Sequence, residues 1–211
     1  MHSTQDKIIV RAATLYAENG CKAITMDDIA NSLGMSKRTI YENFPDKATL
    51  LKACLNYFFE QHELDIQQIL QSSDNIIGAI FKILENTSNL FFRIKFDFIN
   101  EIHKYYPDVY SSTVEHFTQK YLESTNKMLQ KGQQDGIVRK DLDTMVLSVL
   151  FNEVSIWIVH KDIFADYGIH KKSAMHTCMS CITRGMFTEK GLHILDEHIE
   201  EFKKIKDDYT N

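Results

Sequence analysis

Two short stretches of helical periodicity meet at a single glycine, Gly34, and that junction constrains the fold more than any other feature of the chain. Ile29, Ala30 and Leu33 share one face of the first stretch, and Ile40 and Phe44 share one face of the second. Thr25-Met-Asp-Asp28 opens the first with the spacing of a capping box. Ser36 caps the second, and Pro45 stops it. A glycine between helices this short supplies the left-handed residue that a tight turn needs. The pair is predicted to pack through its apolar faces. The outer surface of the second helix is then drawn from Ser36-Lys37-Arg38-Thr39-Ile40-Tyr41-Glu42-Asn43.

The flanks carry the same period. Ile9, Ala12, Ala13 and Tyr16 give an amphipathic first helix that Gly20 ends with positive φ. Asp46 caps a longer helix running through Leu50, Leu51, Cys54, Leu55 and Phe58. Further helices are expected over 75–93, with Ile76, Ile80, Phe81 and Leu84 inward, and over 95–104. Others follow from Pro107 to near Gly136, and over 141–160, 173–187 and 192–206. Only two prolines and eight glycines punctuate 211 residues, too few for the turns that strands demand. The fold class is therefore all-α: a three-helix, helix-turn-helix head continuing into a larger helical domain. The boundary is placed between residues 1–52 and 53–211.

Charge sorts the two parts. The formal net charge is −5, yet residues 1–52 hold seven basic and six acidic side chains, so the acidity lies beyond them. A small head can still carry the local basic patch that phosphate contact requires. Four scattered cysteines make no disulfide framework, and the N-terminal sequence is not that of a secretion signal. The apolar run 145–159 is too short to span a bilayer and is broken by Asn152, Glu153 and Ser155. The expected location is cytoplasmic, with no membrane partner.

Each exposed group on the second short helix has a physical use on double-stranded DNA. Lys37 and Arg38 neutralise phosphates or reach guanine edges. Thr39 donates to a phosphate or touches a thymine methyl, and Tyr41 offers a flat face and a hydroxyl. Asn43, late on the helix, carries the amide that can pair with adenine. Thr25, Ser36 and Lys47 sit at helix N-termini, where free N–H groups favour phosphate oxygens. The run ITMDDIANSLGMSKRTIYENFPDKATLL resembles the DNA-binding segment of TetR-type regulators, through Thr25, Ile29, Ala30, Gly34, Ser36, Lys37, Thr39, Ile40, Tyr41, Phe44, Lys47 and Leu50. Arg38 stands where many members carry glycine, so base preference is not inherited there.

The resemblance implies a homodimer on a palindromic operator, with a ligand-sensing domain behind the head and repression as the default mode. The nearly all-apolar helix over 141–160 and the helix over 173–187 are the expected dimer elements. A small-molecule effector would enter the helical domain. His62, Phe96, His103, Tyr121, Phe151 and Trp157 are the candidate ligand contacts, within an aromatic-rich middle most of which is ordinary core. Cys178 and Cys181 share a helical face but lack the strand of a redox motif and the further ligands of a zinc site. No catalytic residue, metal or cofactor is assigned. Two alternatives remain: an all-α enzyme, for which no catalytic signature is present, and a regulator controlled by a protein partner.

Overall fold

The computed structural model describes residues 3–73, 76–80, 82–83, 86, 97–161 and 164–197. Helices dominate: α1 (Thr4–Asn19), α2 (Met26–Leu33), α3 (Lys37–Asn43), α4 (Lys47–Ser72), α5 (Asp97–Tyr105), α6 (Pro107–Tyr110), α7 (His116–Gln134), α8 (Thr144–Lys161) and α9 (Lys171–Met186). Residues 76–80 and 189–197 are also helical. Contacts divide the chain into two compact units. The first comprises 1–67 with 86–119, and the second 68–85 with 120–211.

Local chemistry sets the helix ends in the first unit. Ser3 and Asp6 form a reciprocal capping box at α1, and Thr25 and Asp28 form another at α2. Each satisfies two N–H groups that a helix start otherwise leaves unpaired, worth about 1 kcal/mol. Ser36 caps α3 by accepting the Thr39 N–H, and Asp46 does the same for Thr49 ahead of α4. Gly34 adopts φ 63°, ψ 27°, and a Cβ there would meet nothing within 4 Å. Backbone conformation, not space, is what that position demands of its residue.

Those ends fold α1, α2 and α3 around one core. Ile8, Ala12, Ala13, Tyr16, Met26, Ile29, Ala30, Ile40, Phe44, Leu50, Leu51, Cys54 and Leu55 are all buried in it. The inward isoleucine of α1 is Ile8, while Ile9 is half-buried at the edge. Adjacent isoleucines leave the phase of the helix ambiguous by one residue, and packing against α2 resolves it. The same core takes in Phe98, Ile102 and Val109 from α5 and α6. Phe98 stacks on Tyr16 with centroids 6.2 Å apart. The boundary read at residue 52 falls inside α4, which runs unbroken to Ser72.

Pro107 begins a helix at the expected place, but one turn later the chain widens. Ser111–Glu115 is a π-helical segment, after which α7 resumes the α-helical form. Here the Thr113 hydroxyl donates to the Val109 carbonyl at 2.5 Å.

In the second unit α8 packs on α9. It begins three residues later than the sequence suggests, because Asp143 accepts the N–H groups of Met145 and Val146. The residues before it are occupied otherwise: Arg139 pairs with Asp141, and Gln133 donates to the Leu142 carbonyl. Val138 and Phe187 form an isolated antiparallel bridge, with Arg139 N–H on the Met186 carbonyl and Thr188 N–H on the Ile137 carbonyl. Leu147, Ser148, Phe151, Ser155 and Ile158 of α8 are buried, whereas Met145, Val146, Val149, Leu150 and Trp157 are exposed, Val146 at 63%. Phe81, Leu84, Phe91, Phe92, Phe96 and the tail beyond residue 197 lie outside the described residues.

Candidate nucleic-acid interface

Only Ile40 of α3 is buried, so the helix meets its neighbours along a narrow strip. Lys37, Arg38 and Tyr41 are exposed, with Thr39 half-buried between them. Arg38 is the most open, its side chain 87% exposed. Its Nε donates to Glu42 one turn on at 2.7 Å, leaving the terminal nitrogens able to reach outward. Lys37 reaches back to α2, with its ammonium 2.8 Å from Asp27 and 5.9 Å from the Tyr41 ring centroid. The bond to Asp27 raises the lysine's proton affinity, so Lys37 is a cation throughout the physiological range. Sequence reasoning missed both acidic partners. The four-residue spacing of Arg38 and Glu42 was the available signal for one of them.

The remaining predicted groups serve the framework first. The Thr25 hydroxyl bonds Asp28 at 2.6 Å, and the bonds from Thr25 hold the Asp28 carboxyl below its usual range. Ser36 and Thr39 share a hydroxyl–hydroxyl bond of 2.8 Å. Asn43 donates its amide to the Thr39 carbonyl, closing the helix against itself. Lys47 turns inward, donating to the Ile24 carbonyl at 2.5 Å and lying 5.9 Å from the centre of the Tyr16 ring. Burial pulls its proton affinity below the ordinary lysine value.

What results is a firm scaffold presenting two cations, a phenol and a carboxylate from one short helix. The N-terminus of that helix adds its partial positive charge. Such a surface has the charge and donors that phosphate contact and base-edge reading require.

Residues 8–54 match the family model for bacterial regulatory proteins of the tetR family. That segment is of the TetR family. The chain is a DNA-binding transcriptional regulator, as are its curated relatives. The chain is 29% identical over 153 residues to the HTH-type transcriptional repressor KstR2 of Mycolicibacterium smegmatis, covering 67% of this chain and 70% of that one. It is 30% identical over 117 residues to the icaADBC biofilm-operon negative regulator IcaR of Staphylococcus aureus, over 54% of this chain and 57% of that one. Solved structures agree on the fold. KstR2 of Mycobacterium tuberculosis superposes with a TM-score of 0.60 at 17% identity, covering 90% of this chain and 97% of that one. A TetR regulator from Legionella pneumophila superposes with a TM-score of 0.72 at 14% identity, covering 88% and 98%.

The candidate ligand contacts of this chain divide between the units. His62 is buried on α4, with Nδ1 3.2 Å from Asn86 Oδ1 and its ring tilted on Phe117. Burial lowers its proton affinity. His103 is exposed on α5, 4.6 Å between ring centroids from Tyr110. In the second unit Tyr121 is half-buried, Phe151 is buried and Trp157 is 40% exposed, edge-on to Phe164. Phe96 lies outside the described residues. Cys178 is half-buried and Cys181 exposed, three residues apart on α9. No described helix is long and apolar enough to cross a membrane.

Proposed function

We propose that this chain is a ligand-responsive repressor that binds a palindromic operator as a homodimer. Residues 1–52 read the DNA, and residues 53–211 sense the effector and pair the protomers. The observation that carries the DNA-reading half is α3, which buries Ile40 alone and turns Lys37, Arg38 and Tyr41 to solvent. In this reading Lys37 and Arg38 meet phosphates and base edges, and Tyr41 stacks against the sugar-phosphate wall. Thr25, Ser36, Thr39, Asn43 and Lys47 hold the approach, with Thr25, Ser36 and Thr39 close enough to helix N-termini to share phosphate contacts.

The pairing half rests on α8. Met145, Val146, Val149, Leu150 and Trp157 form an apolar face too large for a protomer to leave in water. A second copy, related by a two-fold axis, covers it and sets two heads about 34 Å apart on DNA. An effector releases the DNA by binding the released state more tightly than the bound one, whatever its chemistry.

Selection of duplexes from a randomised library tests the reading. The expected product is one two-fold symmetric sequence, bound by a species of twice the protomer mass in sedimentation. Enrichment of no sequence, or of one unpaired half-site by a monomer, would refute it.

A further inference from the structure

The recognition head is tied to a carboxylate far outside the segment that matches the family model. Glu101, on α5, accepts the backbone N–H of Lys22 at 2.7 Å, across 79 residues of chain. The buried Cys21 thiol feels the same carboxylate, which helps to push its pKa up. Gly20 completes the contact: with φ 82°, a Cβ there would stand 2.8 Å from Oε2 and 3.0 Å from Oε1. Three successive residues of the α1–α2 turn therefore face a single side chain. Two residues further on, Lys47 binds the Ile24 carbonyl. Side chains from outside the turn thus hold both its beginning and its end, immediately before the Thr25 cap.

Chemistry favours the carboxylate as the stronger tether. A charged acceptor on a backbone N–H makes a shorter and stronger bond than a neutral one. The thiol stays protonated beside it, because burial and the neighbouring Glu101 push its pKa up to about 12. The bond to the Lys22 N–H is unavailable to an alanine, and only a neutral version is available to a glutamine. The consequence travels through rigid pieces. The turn fixes Thr25, Thr25 starts α2, and α2 carries both the Asp27 that holds Lys37 and the apolar face under α3.

We propose that Glu101 is a positioning residue for DNA binding, setting the path of the α1–α2 turn and thereby the placement of α2 beneath the reading helix. The proposal rests on the DNA-binding reading above. Glu101 touches no DNA in this scheme. It acts on sequence-specific affinity and leaves the count of phosphate contacts unchanged.

The test uses the full chain as wild type, Glu101→Ala and Glu101→Gln, with the duplex that the wild type enriches from a randomised library. Binding is followed by fluorescence anisotropy against salt, the folded state by circular dichroism, and the Lys22 amide by hydrogen exchange. Loss of one charge-assisted bond predicts roughly tenfold weaker binding of the selected duplex for Glu101→Ala, and about threefold for Glu101→Gln. Non-specific affinity and the salt slope should stay at wild-type values, and Lys22 exchange should accelerate in the order alanine, then glutamine, then wild type. A folded Glu101→Ala that binds the selected duplex within about twofold of wild type overturns the proposal. So does a changed salt slope, which would put the carboxylate's effect at the phosphates. If Glu101→Ala does not fold, Glu101→Gln decides by the same criteria. A wild type that enriches no duplex is a different failure, and it overturns the DNA-binding reading together with the proposal.

Discussion

Replacing Lys47 with methionine separates two roles that the same lysine could serve at the head of α4. Methionine keeps the apolar stem and removes only the ammonium. The structure has that ammonium donating to the Ile24 carbonyl and lying over the Tyr16 ring. A hydrogen bond from a charged donor contributes about 1.5–3 kcal/mol and a cation–π contact about 0.5–1 kcal/mol. Burial of the ammonium, visible as its lowered proton affinity, offsets part of this. A net loss of about 2 kcal/mol follows, which for a chain of this size is a fall in Tm of about 4–8 °C. Calorimetry with and without DNA, together with salt titrations of operator binding, checks it. The stability should drop while the slope of log K against log salt stays at the wild-type value. An unchanged Tm with a slope lower by about 0.9 would refute the reasoning, because that is the signature of one lost phosphate contact.

Three further outcomes are expected. Arg38→Ala should relax preference at particular base pairs, where a bidentate contact discriminates by about 1–3 kcal/mol; uniform loss across a randomised library would remove Arg38 from base reading. The Tyr16 hydroxyl is buried with no hydrogen-bond partner among the described residues, so Tyr16→Phe should raise stability by about 1 kcal/mol in urea titrations, and a loss of that size would show that the hydroxyl is satisfied after all. His62 binds its proton less tightly when folded than the unfolded value of 6.5. The unfolded chain therefore takes up more protons, so the contribution is complete above pH 6.5 and is lost as pH falls through it, at no more than about 1.4 kcal/mol per pH unit. His62→Gln should flatten urea midpoints between pH 7 and 5, and an undiminished slope would assign that dependence to other groups.

How much was legible depended on distance along the chain. The capping box of Thr25 and Asp28, the Ser36 cap and the left-handed Gly34 are interactions over three or four residues, and the sequence displays all of them. Ile8 and Ile9 could not be told apart, because both are β-branched and apolar and only the neighbouring helices choose between them. Lys47 reads as a phosphate contact because it opens a helix, yet its direction is set by a carbonyl 23 residues earlier. Glu101 carries no local signal at all, since an acid on a helix near tyrosines and lysines is ordinary. The π-helical segment after Pro107 is equally silent, as its hydrogen bonds follow no residue-type rule.

The interleaving of the first compact unit bears on how the protein is born. Residues 1–67 complete their core only when 86–119 arrive, bringing Phe98, Ile102 and Val109. A ribosome adds roughly 5–20 residues per second, so the nascent reading head waits roughly 3–10 s between the emergence of Leu55 and that of Val109. During that interval the face of Tyr16 that later meets Phe98 is open to water and to chaperones. A head excised at residue 52 and grafted onto another protein would remain permanently in this immature condition. The module that evolution copies as a recognisable sequence is thus shorter than the module that folds.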